Sequence, residues 1–409
     1  MRRSSQTQPG GLSRRQLLLG GAVAGAGAVS AVAADQVLNP APAKDAVADV
    51  LNGTGVVPFH GAHQAGIDTA PAAHATLVAL DLRDGVDRSQ LASMMRLLSD
   101  DAARMAQGVN PLADTEPELS FVPANLTITF GFGAEFVRRA GADPAAHAWV
   151  RPLPAFKVDQ LDPAWNDGDL LLQVCSDDPL TVAHTLRMLL KDARRFATIR
   201  WTQRGFRRAY GSEPTGTTMR NLFGQVDGTT NPALGSPELA DVVWVKDASW
   251  LAGGTGMVVR RIRMDVDKWD RLDRPGRELA VGRRLSNGAP LTGTAERDTP
   301  DWEATTAIGF PEIPEFSHMR RARPETADEV IFRRSYNYDD TPDDPEAISN
   351  TGLVFISFQA DVDRQFVPIQ TRLDELDLLN EWTTPIGSAV FAIPPGCEQG
   401  GYVGETLLA

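Results

Sequence analysis

The sequence predicts an α+β fold in which antiparallel sheets carry helices on one face. Three observations predict it. The chain has 409 residues and is 42% hydrophobic, enough for one large or two medium cores. Short runs rich in β-branched and aromatic residues alternate with longer segments of helical period. The alternation runs through two similar halves without a strict sequence repeat.

The first element lies outside that pattern. The segment "GLSRRQLLLGGAVAGAGAVSAVAADQ" places Arg14 and Arg15 before a weakly hydrophobic Gly/Ala/Val run that ends in small residues. Residues 1–34 therefore read as a twin-arginine export signal, cleaved near Ala33 or Ala34. A retained membrane anchor is the alternative, but the run is short for a span and rich in Gly and Ala. Export would leave the product periplasmic or extracellular, at the cell envelope, with membrane contact only during transit. This route carries folded proteins, often after cofactor loading, which is an indirect hint of a cofactor. Cleavage removes four arginines and no acid from a chain of formal charge −13. An acidic body with no basic arm argues against nucleic acid as a partner.

Residues 35–55 read as a flexible Ala/Pro/Gly/Asp tether, and order begins at "VVPFHGAHQAGI". The first half, 56–215, starts with the strand "ATLVALDL" and the helix "DRSQLASMMRLLSDDAARMAQ". The strands "LTITFGFG" and "DLLLQVCS" and the helix "PLTVAHTLRMLLKDA" follow. In the second half, 216–409, "DVVWV" and "GMVVRRIRMDV" read as strands and "KWDRLD" starts a short helix. "TGLVFISFQA" is a strand before the helix "DRQFVPIQTRLDELDLL". Residues 271–327, rich in Arg, Pro, Gly and Asp, form a long irregular insertion, and loops of that length are usually functional.

Chemistry-bearing residues are few. Cys175 sits in an apolar run and reads as a buried thiol. Cys397 follows "IPPG", and sequence leaves open whether the two pair. No C-x-x-C-H is present, which argues against covalent c-type haem. Of the six histidines, His184 shares a helical face with Arg187 and Lys191 and reads as solvated. His74 and His147 show no partner pattern. His60 and His63 form H-x-x-H in a glycine-rich loop, a weak metal signal better read as loop structure. His318 is different: it lies inside the insertion, in "PEIPEFSHMRRARPE", beside Arg320, Arg321 and Arg323. A neutral imidazole can ligate a metal, and guanidiniums hold carboxylates in forked geometry. A solvated basic loop is the plain alternative. In "VIFRRSYNYDD", Arg333 and Arg334 end an apolar run. They point into a pocket or mark a strand's exit to water. In "NLFGQVDGTTN", Asp227 sits between two glycines, which by itself reads as a surface turn.

Together these pieces resemble the dye-decolourising peroxidase family, in its exported subgroup. The resemblance spans about Val57 to Leu408. It rests on "VPFHGAHQAGI", "GQVDG", "SHMRRARP", "IFRRSYNY", "DELDLLNEW" and "GSAVFAIPPG", in that order. It implies two ferredoxin-like halves and one non-covalent haem b per subunit, in the C-terminal half. Asp227 matches the distal acid and His318 the axial iron ligand. Arg333 matches the distal arginine, with Arg334 as a rival because the spacer from His318 is slightly short. Asp377 matches the acid that hydrogen-bonds the axial histidine, and Gly228 lets the backbone approach the haem. Ser335 stands where many relatives carry Gly, and Arg323 where many carry Asn. The implied reaction reduces hydrogen peroxide and oxidises phenolic, dye-like or other bulky organic donors. Asp227 would move the proton and Arg333 supply fixed positive charge. A free carboxylate titrates near pH 4, so activity should favour acid. Trp201, Trp302, Tyr336, Trp382 and Tyr402 are candidate electron relays, although aromatic residues more often pack cores. The alternative is an exported deferrochelatase-like protein that releases iron from haem and works with iron-uptake partners. A homo-oligomer is compatible with either reading.

Overall fold

The computed structural model describes residues 51–143, 145–342 and 345–409. The predicted export signal and residues 35–50 of the tether lie outside the described residues. The first half runs β1 (His74–Leu82), α1 (Arg88–Ala106), β2 (Thr127–Phe132), α2 (Ala134–Arg139), β3 (Leu170–Ser176), α3 (Pro179–Ala193) and β4 (Ala197–Phe206). The second runs α4 (Pro237–Val243), β5 (Thr255–Met264), α5 (Val266–Asp270), α6 (Arg274–Val281), α7 (His318–Arg321), β6 (Phe332–Arg333), β7 (Tyr336–Asp340), β8 (Asn350–Gln359), α8 (Val362–Leu376), β9 (Thr383–Ile393) and α9 (Glu405–Leu408).

Local chemistry sets these elements. Asp87 caps α1 in a reciprocal box with Gln90, and Asp178 with Pro179 starts α3. The strands pair antiparallel in the order β4-β1-β3-β2 and β9-β5-β8-β7, the same ferredoxin-like order in both halves. Their edges meet at one residue pair each, Phe132 with Ala392 and Phe206 with Asn337. The eight strands thereby close into a ring. Its interior is one apolar core, with Leu77, Leu171 and Trp201 from one sheet against Val259, Ile356 and Phe391 from the other. Helices α1 and α3 cover the outer face of the first sheet. Helix α8 covers part of the outer face of the second. Cys397 and Tyr402–Leu408 pack back on the first half, through Leu407 and Leu408 beside α1.

Three sequence expectations are corrected. "DVVWV" is not a strand: Asp241–Val243 end helix α4, started by Ser236 accepting from the Leu239 N–H and by Pro237 at the first position. The cap outweighs the β propensity of the valines. His184 is buried, not solvated, with Nε2 2.9 Å from Asp114 Oδ2. Residues 109–123 fold over α3 and cover that face, which helical periodicity cannot reveal. Strands β4, β7 and β9 went unread because polar or irregular residues break their alternation.

Candidate active site

A cavity of about 1010 Å³ opens on the outer face of the second sheet. Ile262 and Met264 of β5 and Leu353 and Phe355 of β8 form its floor, and Phe366 and Leu373 of α8 one wall. The insertion closes it, contributing Val281, Glu296, Trp302 and His318. The insertion, expected to be irregular, holds α6 and α7, and the looped stretch between them wraps the cavity.

His318 is the first residue of α7, placed by Ser317, which is fully buried and donates to the Pro314 carbonyl at 2.7 Å. Gly282 ends α6 in the left-handed conformation, φ +86°, and a Cβ there would stand 3.1 Å from Ser317 Oγ. His318 Nδ1 donates to Asp377 Oδ2 at 2.6 Å. Asp377 lies between α8 and a short 3₁₀ turn, and its Oδ1 accepts the Leu379 N–H at 3.0 Å. Both carboxylate oxygens are therefore committed. Burial alone would lower the His318 pKa; the Asp377 charge and hydrogen bond outweigh it, and the net direction is up. With Nδ1 held, Nε2 is the remaining ring position for a metal.

Asp227 lies on a turn anchored from below by Phe223, which stacks on Trp269 at 4.4 Å between ring centroids. The Asp227 N–H donates to the Met219 carbonyl at 2.8 Å, and Gly228 follows at φ +121°, a conformation side chains resist. This is why an acid stands in a glycine-flanked turn behind an apolar pair. Asp227 Oδ1 accepts from Arg333 Nη1 at 2.8 Å, and both line the cavity. Arg334 turns the other way. It is buried and donates to the carbonyls of Ile67, Thr69 and Ala70, tying the first half to the second. It is not among the residues lining the cavity. Adjacent residues on a strand point to opposite faces, so only one of the pair can reach it.

His318, Asp377, Asp227, Gly228 and Arg333 thus converge on one cavity, and Arg334 does not. His60 and His63 do not converge on a shared site: His63 Nδ1 donates to the Gly253 carbonyl and its ring stacks on Trp244. Trp302 lines the cavity beneath Arg320 and Arg323, whereas Trp201, Tyr336 and Tyr402 are buried core residues. Both cysteines are free thiols. Glu296 was missed in the sequence. Its Oε1 accepts from Thr218 and Thr229 Oγ1 at 2.6 and 3.0 Å, binding the insertion to both flanks of the Asp227 turn. No local pattern marks it.

Residues 64–207 match the family described as Dyp-type peroxidase, N-terminal, and residues 218–398 match Dyp-type peroxidase, C-terminal. The chain belongs to the Dyp-type peroxidase family. It is 34% identical over 425 residues to a dye-decolorizing peroxidase of Thermobifida fusca, with 98% of each chain covered. It is 33% identical over 426 residues to a deferrochelatase of Yersinia pestis, covering 97% of this chain and 95% of that one. Among solved structures, a DyP-type peroxidase from Cellulomonas bogoriensis superposes with TM-score 0.85 at 53% identity, covering 88% of this chain and 99% of the other. Ferric DtpA from Streptomyces lividans superposes with TM-score 0.83 at 38% identity, covering 88% and 99%. This Dyp-type peroxidase is a haem enzyme. Its cavity fits the group: the volume is at the top of the ~300–1,000 Å³ range of cofactor pockets. The floor is apolar, one imidazole is oriented by a carboxylate, and Arg297 and Arg323 line the walls where propionates could be held.

Proposed function

We propose that this Dyp-type peroxidase reduces hydrogen peroxide at a haem b held by His318 Nε2, with Asp227 and Arg333 as the distal pair. Its electron donors are phenolic, dye-like or other bulky organic molecules. The observation that carries the reading is that two fixed ion pairs, His318–Asp377 and Arg333–Asp227, open into one cavity.

Haem bound there by His318 would supply the redox chemistry of its iron. The chain's residues do the rest. Asp377 holds the proton of Nδ1, which presents Nε2 as a lone pair and makes the ring more electron-donating. Asp227, held by Arg333, accepts the proton of one peroxide oxygen and returns it to the other, so that the bond between them breaks heterolytically. The Arg333 guanidinium stabilises the negative charge that develops. Phe223 and Leu353 make the floor apolar. Trp302, at the cavity wall under two guanidiniums, is the best placed of the candidate relays.

Stopped-flow mixing of haem-loaded Arg333→Leu, Arg334→Leu and Asp227→Asn with peroxide tests this assignment. Removing one preorganised donor costs roughly 10²–10³ in rate. A pocket water partly replaces a carboxylate, so Asp227→Asn should lose less than Arg333→Leu and should flatten the acidic pH dependence. Arg334→Leu should weaken folding but react normally per haem. Wild-type rates in both Arg333→Leu and Asp227→Asn would sink the distal assignment.

The second reading is an exported deferrochelatase-like role in iron acquisition. It is favoured by the near full-length similarity to the Yersinia protein. Release of free iron with intact porphyrin, without peroxide, would support it over the peroxidase reading. Export through Arg14 and Arg15 belongs to both readings.

A further inference from the structure

The distal acid and arginine stand 106 positions apart in the chain. A salt bridge between two flexible side chains does not fix where the pair stands; the backbone beneath each must be set. On β6, Arg333 pairs with Ser357 of β8, and the Arg334 N–H donates to the Ile356 carbonyl at 2.8 Å. In an antiparallel strand the amide and carbonyl of one residue point to the same side, and alternate residues point to opposite sides. The amide and carbonyl of Arg333 therefore face away from β8, off the sheet.

One side chain takes both. The Arg333 N–H donates to Asn231 Oδ1 at 3.0 Å, and Asn231 Nδ2 donates to the Arg333 carbonyl at 2.6 Å. The carboxamide stands in for the peptide group of an absent neighbouring strand. Asn231 also belongs to the Asp227 turn, since its own N–H donates to the Gly228 carbonyl at 3.0 Å. The turn that carries the acid is thereby bolted to the backbone that carries the arginine.

We propose that Asn231 is the positioning residue of the distal pair, setting Arg333 against Asp227 before peroxide arrives. This rests on the reading that Asp227 and Arg333 act together on peroxide. The task needs a carboxamide: it offers one acceptor and a donor side by side, as a peptide does. A carboxylate accepts from the amide but cannot donate to the carbonyl. Alanine does neither, and glutamine carries the group one methylene too far. A displacement of about 1 Å near reacting atoms costs on the order of 10²-fold in rate.

The test uses haem-loaded wild type, Asn231→Ala, Asn231→Asp, Arg333→Leu and the double variant Asn231→Ala/Arg333→Leu, with peroxide rates expressed per bound haem. Asn231→Ala should slow the reaction by roughly 10–100-fold and leave the KM for the organic donor unchanged. Because Asn231 acts through Arg333, the double variant should be no slower than Arg333→Leu alone. A second readout is independent of activity. In haem-free protein, hydrogen exchange of the peptide spanning 329–336 should quicken in Asn231→Ala, and less in Asn231→Asp, which keeps the acceptor for the Arg333 N–H. If Asn231→Ala fails to fold, Asn231→Asp carries the same comparison. A wild-type per-haem rate in Asn231→Ala beside a crippled Arg333→Leu overturns this inference and leaves the distal pair standing. Multiplying losses in the double variant also overturn it. A wild-type rate in Arg333→Leu overturns the distal reading itself.

Discussion

Replacing Asp377 by Asn would remove one charge and one acceptor from beneath His318. Asp377 uses both oxygens: Oδ2 for His318 Nδ1 at 2.6 Å and Oδ1 for the Leu379 N–H at 3.0 Å. A carboxamide has only one oxygen for these two donors. If that oxygen serves Leu379, its NH₂ faces Nδ1 and forces the ring to carry its proton on Nε2, the position needed for iron. If the oxygen serves His318, the NH₂ meets the Leu379 N–H, donor against donor. Either arrangement weakens ligation. Loss of such a partner typically costs roughly 10–100-fold in metal affinity, about 1.4–2.7 kcal/mol. The assay is haem transfer to an excess of a tight haem-binding acceptor, followed by absorbance. Haem should leave Asp377→Asn that much faster than wild type.

The same substitution has a pH signature. In the haem-free chain, Asp377 holds the His318 proton more tightly than the unfolded chain does. The pair therefore stabilises the haem-free fold fully below the ordinary histidine range, about pH 6.5, and this is lost as pH rises through the raised midpoint. Ligation needs the neutral ring, so haem affinity should rise with pH over the same window. In Asp377→Asn both slopes should move to lower pH. Wild-type haem loss together with an unmoved pH profile would refute the account of His318.

Three further outcomes are expected. His318→Ala should lose most bound haem, whereas His184→Ala should melt earlier, having broken its buried pair with Asp114, yet keep the wild-type Soret band. Asp101 is buried beside Asp192, and burial first and the neighbouring acid second push its pKa up to about 8. Stability from this pair should fall as pH rises from about 4 to 8, so Asp101→Asn should melt at a higher temperature than wild type in alkaline buffer and close to it in acid. Changing Arg14 and Arg15 together to Lys should hold the precursor in the cytoplasm, checked by fractionation, and unchanged export would refute the twin-arginine reading.

Strands of continuous apolar character, β1, β3 and β8, were legible because burial on both faces demands it. The helices α1, α3 and α8 were legible from their caps and period. Strand β4 was not: Gln203 and Gly205 stand at buried positions while Ile199 and Phe206 are exposed, and a bulge at Ala79/Leu80 of its partner shifts the register. The closure of the sheets was also hidden, because each seam rests on a single residue pair. At the site, the family resemblance singled out His318, Asp227 and Arg333, which the structure brings to one cavity, whereas their local sequences favoured plainer readings. What separated Arg333 from Arg334 was strand alternation, which could be applied only once β6 had a register. His184 and Asn231 depend on partners 70 and 102 positions away, and no local pattern encodes such contacts.

The cavity over His318 is proposed to hold a haem that reacts with peroxide. The most direct measurement is the absorption spectrum of the purified, haem-supplemented protein before and after one equivalent of hydrogen peroxide. The Soret band should shift within the mixing time and return when a phenolic donor is added. A protein that takes up no haem, or a Soret band that peroxide leaves in place, would contradict it.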